Sequence, residues 1–441
     1  MTPTQPQDLS LREQAASIAT GALSPDELLD HTLRRIGERD GAINSVVETF
    51  PAESRRMAAA APAGPLHGVP ITIKDMFCLP WRGLRNGTRH ELRPPSASGV
   101  YRRLRDAGAV IVGINNQHEL GMGTTGTVSA YGPAANPWAL DRCAGGSSSG
   151  SAAAVATGLT AGSVGSDSGG STRVPAAYCG VLGLKLTYRA VPYDGYTGAG
   201  SSFSAPGLFA RDAWDLGLLT GAVLARPLKV GDGSALRIGV VPEPFWADVE
   251  APVAEACQQA LRETDWAIEE IAVAGAELSS AAGSLRLASE LVPFIPSALL
   301  EDLSPTVRAM IRFVAVQPAR LVVRADRVRA VVRRSLAAAF DQVDLLAWPT
   351  VPAPAPPIAD PTVRLPSGRR PADLANVGQV IVANLAGVPG ISLPVGHDRD
   401  GLPIGLQLIG PWGSEERLLD AALHLEAATH RRHVQRRPPV P

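Results

Sequence analysis

The chain has 441 residues, of which 45% are hydrophobic and 19% are charged, and its formal net charge is −1. This composition is typical of a globular protein, and the balanced charge provides no field that would attract nucleic acid or an anionic membrane. The four cysteines have no CxxC spacing, the N-terminus lacks the features of a signal peptide, and no 18 apolar residues run together. We therefore expect a cytoplasmic protein that binds neither nucleic acid nor membrane.

The first clear element is a helix over residues 24–36. Ser24 is suited to cap its N-terminus, Pro25 suits the first helical position, and Glu27 completes a capping box. The apolar residues that follow share one face at helical spacing: Leu28, Leu29, Leu33 and Ile36. This pattern predicts an amphipathic helix that covers a core.

Short apolar runs bounded by Gly, Pro or charged residues predict buried strands. They are HGVPITIKD (67–75), GAVIVGI (108–114), RIGVVPEP (237–244), DLLAWPTVP (344–352) and two runs within 387–410. An alanine-rich segment, 149–158, predicts a helix, and 159–167 reads as a strand that breaks into a glycine loop. A last helix ends near Thr429, and the Pro-rich residues 352–372 read as a long surface loop.

Strands that alternate with helices predict an α/β fold with a central mixed sheet covered by helices on both faces. No internal repeat and no clear linker interrupts the chain, so we expect a single large domain over residues 1–441. Its expected parts are a core (about 67–210), a variable helical region (about 228–345), a return to the sheet (about 345–429) and a frayed tail (430–441).

Residues 145–173 form a glycine-rich stretch with eight serines, GGSSSGSAAAVATGLTAGSVGSDSGGSTR. A nucleotide P-loop is excluded because no lysine precedes Ser151. A nucleophile elbow centred on Ser148 is disfavoured, since the preceding NPWALDRCA lacks a strand period. His118 and Glu119 begin a zinc motif that Met122 breaks, so we expect neither a metal nor another cofactor.

The remaining interpretation is a serine nucleophile activated by a lysine. Only three of the 41 basic residues are lysines, and one of them, Lys74, ends the apolar strand ITIK. Burial lowers a lysine pKa toward neutrality, whereas arginine cannot act as a base. A lysine that merely ends a strand at the surface is the equally weighted alternative.

The second glycine loop, SDSGGS (166–171), suits an oxyanion hole. Consecutive glycines allow backbone N–H groups to converge on one point without obstruction by Cβ atoms. Ser171 would then lie beside those donors. An ordinary Gly/Ser turn is the alternative for this loop taken alone.

Together these segments resemble the amidase signature family. The blocks that carry the resemblance are GGSSSGSAAAVATG, GSDSGGSTRVPAAYCGVLGLK, GVPITIKD, NPW at 136–138, PTVPAPAP from Pro349, NLAGVPGISLPVG and GLPIGLQLIG. They extend from about Ser24 to about Thr429, nearly the whole chain. A match over so many blocks is far more specific than any single motif.

The resemblance implies a role for each matching residue. Ser171 corresponds to the acylated nucleophile, Ser147 to a serine that follows a cis peptide bond, and Lys74 to the base. The implied oxyanion donors are the backbone N–H groups of Ser168, Gly169, Gly170 and Ser171. Asp167 and Arg173 would brace the nucleophile loop, Ser148 would hydrogen-bond the proton relay, and Met122 would line the acyl pocket unless it is a plain core methionine.

The implied activity is hydrolysis of a small-molecule carboxamide through a serine acyl-enzyme, which releases ammonia or an amine. The alternatives are the glutaminase A subunit of a tRNA-dependent amidotransferase, with B and C subunits as partners, and an inactive binding homologue. The segment GTTGTVSAYG lacks the TENSAFG-like sequence typical of that subunit, which favours the hydrolase. At family level we expect a homodimer. Ser204 and Leu208 replace the Asp and Pro that are common in the family, which leaves the substrate open.

Overall fold

The computed structural model describes residues 9–197, 201–231, 233–295, 297–430 and 436–439. Within these residues the backbone forms one 11-stranded sheet in the order β1-β3-β2-β6-β8-β7-β14-β15-β11-β9-β10, and two small two-stranded sheets. The strands are β1 (Val46–Thr49), β2 (Pro70–Lys74), β3 (Val110–Asn115), β4 (Ala135–Asn136), β5 (Ala139–Cys143), β6 (Gly162–Asp167), β7 (Leu182–Lys185), β8 (Ala205–Ala210), β9 (Arg237–Val240), β10 (Ala267–Glu270), β11 (Leu345–Pro349), β12 (Thr362–Leu365), β13 (Gly368–Pro371), β14 (Gly390–His397) and β15 (Pro403–Ile409).

Helices cover the large sheet, as the α/β prediction requires. They are α1 (Leu11–Ala19), α2 (Pro25–Arg39), α3 (Pro51–Ala59), α4 (Gly99–Asp106), α5 (Ser149–Ala156), α6 (Arg173–Cys179), α7 (Ala213–Leu224), α8 (Pro242–Phe245), α9 (Ala251–Arg262), α10 (Ser279–Leu291), α11 (Pro305–Ala315), α12 (Ala319–Gln342), α13 (Ala372–Ala386) and α14 (Glu415–Ala428). The predicted fold class, a single large α/β domain with a mixed sheet, is confirmed.

The large sheet is mixed in direction, and its parallel part positions the site. Strand β2 lies parallel to both β3 and β6, whereas β8, β7, β14 and β15 pair antiparallel. Because parallel strands end at the same edge of a sheet, the last residues of β2, β3 and β6 come together there. These residues are Lys74, Asn115 and Asp167, and all three are fully buried.

Local signals in the sequence place the predicted elements correctly. Ser24 caps α2 with Pro25 in its first turn, and the capping box with Glu27 is complete in both directions. Helix α5 lies within the helix predicted at 149–158, and strand β6 lies within the strand predicted at 159–167. The apolar runs predicted as strands all contain strands of the large sheet.

Two local expectations are wrong. Residues 352–372 contain the hairpin β12–β13, whose register runs from Thr362 opposite Pro371 to Leu365 opposite Gly368. The segment before Ser147 contains β5, which pairs with the two-residue β4 outside the large sheet. Both hairpins are short and rich in charged or polar residues, so the alternation that marks a half-buried strand is missing. Most of the predicted frayed tail, 431–435 and 440–441, lies outside the described residues.

No described helix is both long and apolar enough to cross a bilayer. The described histidines, cysteines and acidic residues do not gather in groups of three that could hold a metal ion.

The close approach of α6 to strand β8 gives a test of the fold. A Cβ atom on Gly207 of β8 would overlap the hydroxyl of Thr172, which donates to the carbonyl of Ser166 at 3.1 Å. Gly207→Ala should therefore lower the free energy of unfolding by about 1–3 kcal/mol, as overpacked cores do. Denaturant unfolding measures this change in the free energy of unfolding.

Gly37→Ala is the matched control, because Gly37 lies in α2 with nothing within 4 Å of an added Cβ. It should stabilise the protein by about 0.5–1 kcal/mol through helix propensity. Equal unfolding midpoints for Gly207→Ala and wild type would contradict the packing described here.

Candidate active site

Lys74 lies at the centre of a buried cluster of hydroxyl groups. It is the last residue of β2 and is 0% exposed. Its Nζ atom donates to Ser147 Oγ at 2.7 Å and to Ser166 Oγ at 2.7 Å. The alternative, in which Lys74 merely ends a strand at the surface, is therefore wrong. Its side-chain nitrogen contacts neutral oxygens rather than a carboxylate.

The surroundings of Lys74 favour its neutral form. Desolvation by burial lowers its pKa to about 7, against the opposing charges of Asp167 and Asp75. Asp75 is engaged by Arg82 in a buried ion pair, which limits how far its charge acts on the lysine. Lys74 is thus able to accept a proton near neutral pH.

Ser147 reaches Lys74 from the first glycine loop. The Gly146–Ser147 peptide bond is cis, as the resemblance implied. Gly146 N–H donates to Thr124 O at 2.7 Å, and Ser147 O accepts from His118 N–H at 3.0 Å, so the loop is fixed on both sides. A Cβ on Gly146 would lie 2.7 Å from Gly126 N, which explains why glycine is required there.

Ser171 lies at the end of the second glycine loop, immediately before α6. It follows Gly170, whose φ of 99° favours glycine, and it is 5% exposed. Ser148 N–H donates to Ser171 O at 3.2 Å and so joins the two loops. Among the described residues the Ser171 hydroxyl has no hydrogen-bond partner, and no bond links it to the Ser147 hydroxyl.

A buried ion pair between Asp167 and Arg173 shapes the second glycine loop, which carries Ser171. Both side chains are 0% exposed, and the guanidinium donates to the carboxylate through Nε at 3.1 Å and Nη2 at 3.0 Å. Burial raises the pKa of Asp167, but the charge and hydrogen bonds of Arg173, together with Lys185 and Asn384, outweigh that effect and hold the pKa well below its usual range. Arg173 also donates to Gln407 and Asn384 at 2.6 Å, which ties the loop to β15 and α13.

The same carboxylate changes the expected set of oxyanion donors. Gly170 N–H donates to Asp167 Oδ1 at 2.8 Å, so this group is already engaged and is removed from the set. The N–H groups of Ser168, Gly169 and Ser171 have no partner among the described residues. These three remain as candidate donors.

The role expected for Ser148 needs adjustment. Its hydroxyl does not contact the hydroxyls around Lys74; it donates to Ser166 O at 3.1 Å and accepts from Ser166 N–H at 3.2 Å. Ser148 therefore fixes the backbone of a residue that binds Lys74.

Met122 lines a narrow cavity near the site. The cavity has a volume of about 60 Å³ and is also lined by Met76, whose Sδ lies 3.1 Å from Ser166 Oγ. Met122 also packs against an apolar cluster around Leu299 and Leu303. The side chain is thus both a cavity wall and part of a small core.

Sequence reasoning missed Ser166 and a second buried lysine. Ser166 contacts Lys74 from the neighbouring parallel strand β6. No local sequence pattern predicts this contact. Lys185 is 0% exposed, burial lowers its pKa to about 7, and its Nζ donates to Val388 O at 2.8 Å. The scarcity of lysine therefore does not by itself single out Lys74; its contacts with hydroxyl groups do.

Comparison with known proteins identifies the family over most of the chain. The family model Amidase matches residues 27–419. The A subunit of the glutamyl-tRNA(Gln) amidotransferase of Halorhodospira halophila (strain DSM 244 / SL1) is 36% identical, over 95% of this chain and 97% of that protein. A crystal structure of an amidase superposes with a TM-score of 0.89 at 30% identity, covering 95% of this chain and 99% of that one.

A further solved relative is the A subunit of the glutamyl-tRNA(Gln) amidotransferase from Thermotoga maritima. It superposes with a TM-score of 0.80 at 26% identity, over 97% of this chain and 96% of that chain. The family match, residues 27–419, includes both glycine loops and strand β15. The chain therefore belongs to the amidase signature family.

Proposed function

We propose that the protein hydrolyses amide C–N bonds through an acyl-enzyme on Ser171, with Lys74 as the base and Ser147 as the relay. The observation that carries the proposal is the 2.7 Å hydrogen bond from Lys74 Nζ to Ser147 Oγ, in a site where burial lowers the lysine pKa to about 7. A hydroxyl is a poor nucleophile unless a base removes its proton, and a neutral lysine supplies that base.

The proposed reaction begins with attack of Ser171 Oγ on the amide carbonyl. The Ser171 proton passes to Ser147 while the Ser147 proton passes to Lys74. The N–H groups of Ser168, Gly169 and Ser171 stabilise the oxyanion, since fixed donors act strongly in a site without water. Lys74 then returns its proton through Ser147 to the leaving nitrogen, and water later hydrolyses the acyl-enzyme by the same route.

The relay requires the Ser171 and Ser147 hydroxyls to meet. In this structure Ser147 is bound to Lys74, and the Ser171 hydroxyl is unbonded among the described residues. Catalytic hydrogen bonds are often long in the free enzyme and shorten when substrate binds. We place the formation of this bond at substrate binding.

For the substrate, we propose the amide of glutamine, which would make the chain the ammonia-releasing A subunit of an amidotransferase. The 36% identity to such a subunit, over nearly the full length of both proteins, supports this choice over the small-carboxamide hydrolase that the sequence motifs favoured. The partners would then be the remaining subunits of the complex, in the cytoplasm. The four cysteines, all free and buried, agree with a reducing compartment.

A stand-alone hydrolase of a small carboxamide is the second candidate. Two observations favour it: the TM-score is higher for the amidase than for the solved amidotransferase subunit, 0.89 against 0.80, and the segment GTTGTVSAYG departs from the pattern of that subunit. In that case a homodimer is the proposed assembly. Both candidates share the chemistry of Ser171.

Active-site labelling tests the shared chemistry. A fluorophosphonate should label Ser171, and Lys74→Ala, Ser147→Ala and Ser171→Ala should each lower turnover by about 10³-fold or more, because the three groups act as one unit. Mass spectrometry of the labelled peptide identifies the serine.

Ser149→Ala is the matched control, since this serine is the first residue of α5, two positions after Ser147, is 0% exposed and has a hydroxyl without a partner among the described residues. Labelling and turnover should match wild type in that variant. Full activity in Ser171→Ala would refute the assignment of the nucleophile, and an unlabelled, inactive wild type would favour the inactive binding homologue.

Ammonia release separates the two substrates. The purified chain is assayed with L-glutamine and with acetamide and benzamide, always against Ser171→Ala. A glutaminase should show kcat/KM for glutamine at least about tenfold above that for the simple amides, a difference worth about 1.4 kcal/mol in transition-state binding. Turnover of the simple amides with none of glutamine would contradict the glutaminase proposal and support the hydrolase.

A further inference from the structure

A second cluster of hydroxyl groups, two buried and one partly buried, lies beside the loop that carries Ser171. The Oγ atoms of Ser168 and Ser204 are 2.6 Å apart, and the Tyr196 hydroxyl is hydrogen-bonded to Ser204 Oγ. Tyr196 is 4% exposed and Ser204 0%. The linked hydrogen bonds run from Tyr196 through Ser204 to Ser168, whose backbone N–H group is a candidate oxyanion donor.

Aromatic packing fixes the position of the Tyr196 ring. The ring stacks on Phe77, with centroids 4.8 Å apart and planes 11° from parallel, and meets Tyr193 edge-on at 5.8 Å. Phe77 lies in the turn that follows Lys74, and its N–H donates to Lys74 O at 3.3 Å. This packing fixes the position of the Tyr196 ring relative to Lys74, and it therefore also fixes the Tyr196 hydroxyl relative to Ser204.

The cluster carries no charge near neutral pH. Burial raises the pKa of Tyr196 to about 12, while its hydrogen bond with Ser204 opposes that rise. Tyr196 therefore stays protonated. Ser204 and Ser168 add only neutral hydroxyls, so these three side chains present no charge to the loop that carries Ser171.

The backbone of Ser204 is fixed independently of its side chain. Tyr193 donates its hydroxyl proton to Ser204 O at 2.6 Å and accepts from Arg189 N–H at 3.0 Å. Two tyrosines thus hold the same serine, one at the carbonyl and one at the hydroxyl. Only the hydroxyl contact of Tyr196 continues to Ser168.

We propose that Tyr196 and Ser204 are positioning residues for the reaction, because their linked hydroxyls hold Ser168 in the orientation that oxyanion stabilisation requires. The inference rests on the proposed nucleophile Ser171. A misplaced oxyanion donor loses its effect in the transition state, whereas ground-state binding hardly changes. Loss of either hydroxyl should therefore slow the chemical step and leave binding nearly intact.

The experiment measures the labelling rate of Ser171 by a fluorophosphonate as a function of probe concentration. Tyr196→Phe keeps the stacked ring and removes only the hydroxyl; Ser204→Ala removes its partner. Each should lower the limiting rate by about tenfold, with the half-saturating probe concentration within about twofold of wild type. The double variant should lose no more than either single one, because both act through the same contact.

Ser204→Thr keeps the hydroxyl and should regain most of the rate. Tyr193→Phe is the control: it removes the hydroxyl that binds the carbonyl of the same serine, and it should lower the melting temperature without slowing the labelling. Equal slowing in Tyr193→Phe and Tyr196→Phe would show a general structural effect and overturn the proposal.

Labelling of the wild type distinguishes a failure of the positioning role from a failure of the proposed nucleophile. A labelled wild type whose rate is unchanged in Tyr196→Phe overturns the positioning role alone. A wild type that is not labelled at Ser171 overturns the proposed nucleophile and this inference together.

Discussion

The burial of Lys74 is the constraint on which the site depends. A charged ammonium is strongly disfavoured in an apolar interior, so the protein must either pair it with a carboxylate in direct contact or accept a neutral amine. This structure places serine hydroxyls, not a carboxylate, at the lysine nitrogen. The parallel strands β2 and β6 bring one of those hydroxyls, and a glycine loop brings the other. These contacts support the proposal that Lys74 acts as a base rather than as a structural cation.

The second constraint is the charge pair that shapes the second glycine loop. A buried carboxylate is tolerated because Arg173 neutralises it and backbone N–H groups satisfy its oxygens. Arg173 is in turn satisfied by Gln407 and Asn384, more than 200 residues later in the chain. The loop that carries Ser171 therefore depends on the C-terminal strand β15 and helix α13. This dependence gives a physical reason for the chain to act as a single domain.

The sequence predicted what local patterns encode. Helix caps at Ser24, the alanine-rich α5 and the apolar strand that ends at Lys74 all have signals within a few residues, and all were placed correctly. The roles of Ser147 and Ser171 came from the family resemblance and remain predictions. The contacts of Ser166, and the capture of the Gly170 N–H by Asp167, could not be predicted, because they depend on how strand ends and loops meet in three dimensions.

Direct titration of Lys74 tests the central claim. The chain has only three lysines, so selective ¹³C labelling of lysine gives few signals, and Lys74→Arg identifies one of them. Because desolvation lowers the pKa, the neutral form should dominate above about pH 7, and the Lys74 Cε signal should titrate with a midpoint of about 7. A Lys74 signal that stays in the charged form up to about pH 9, near the unperturbed lysine range, would contradict the account.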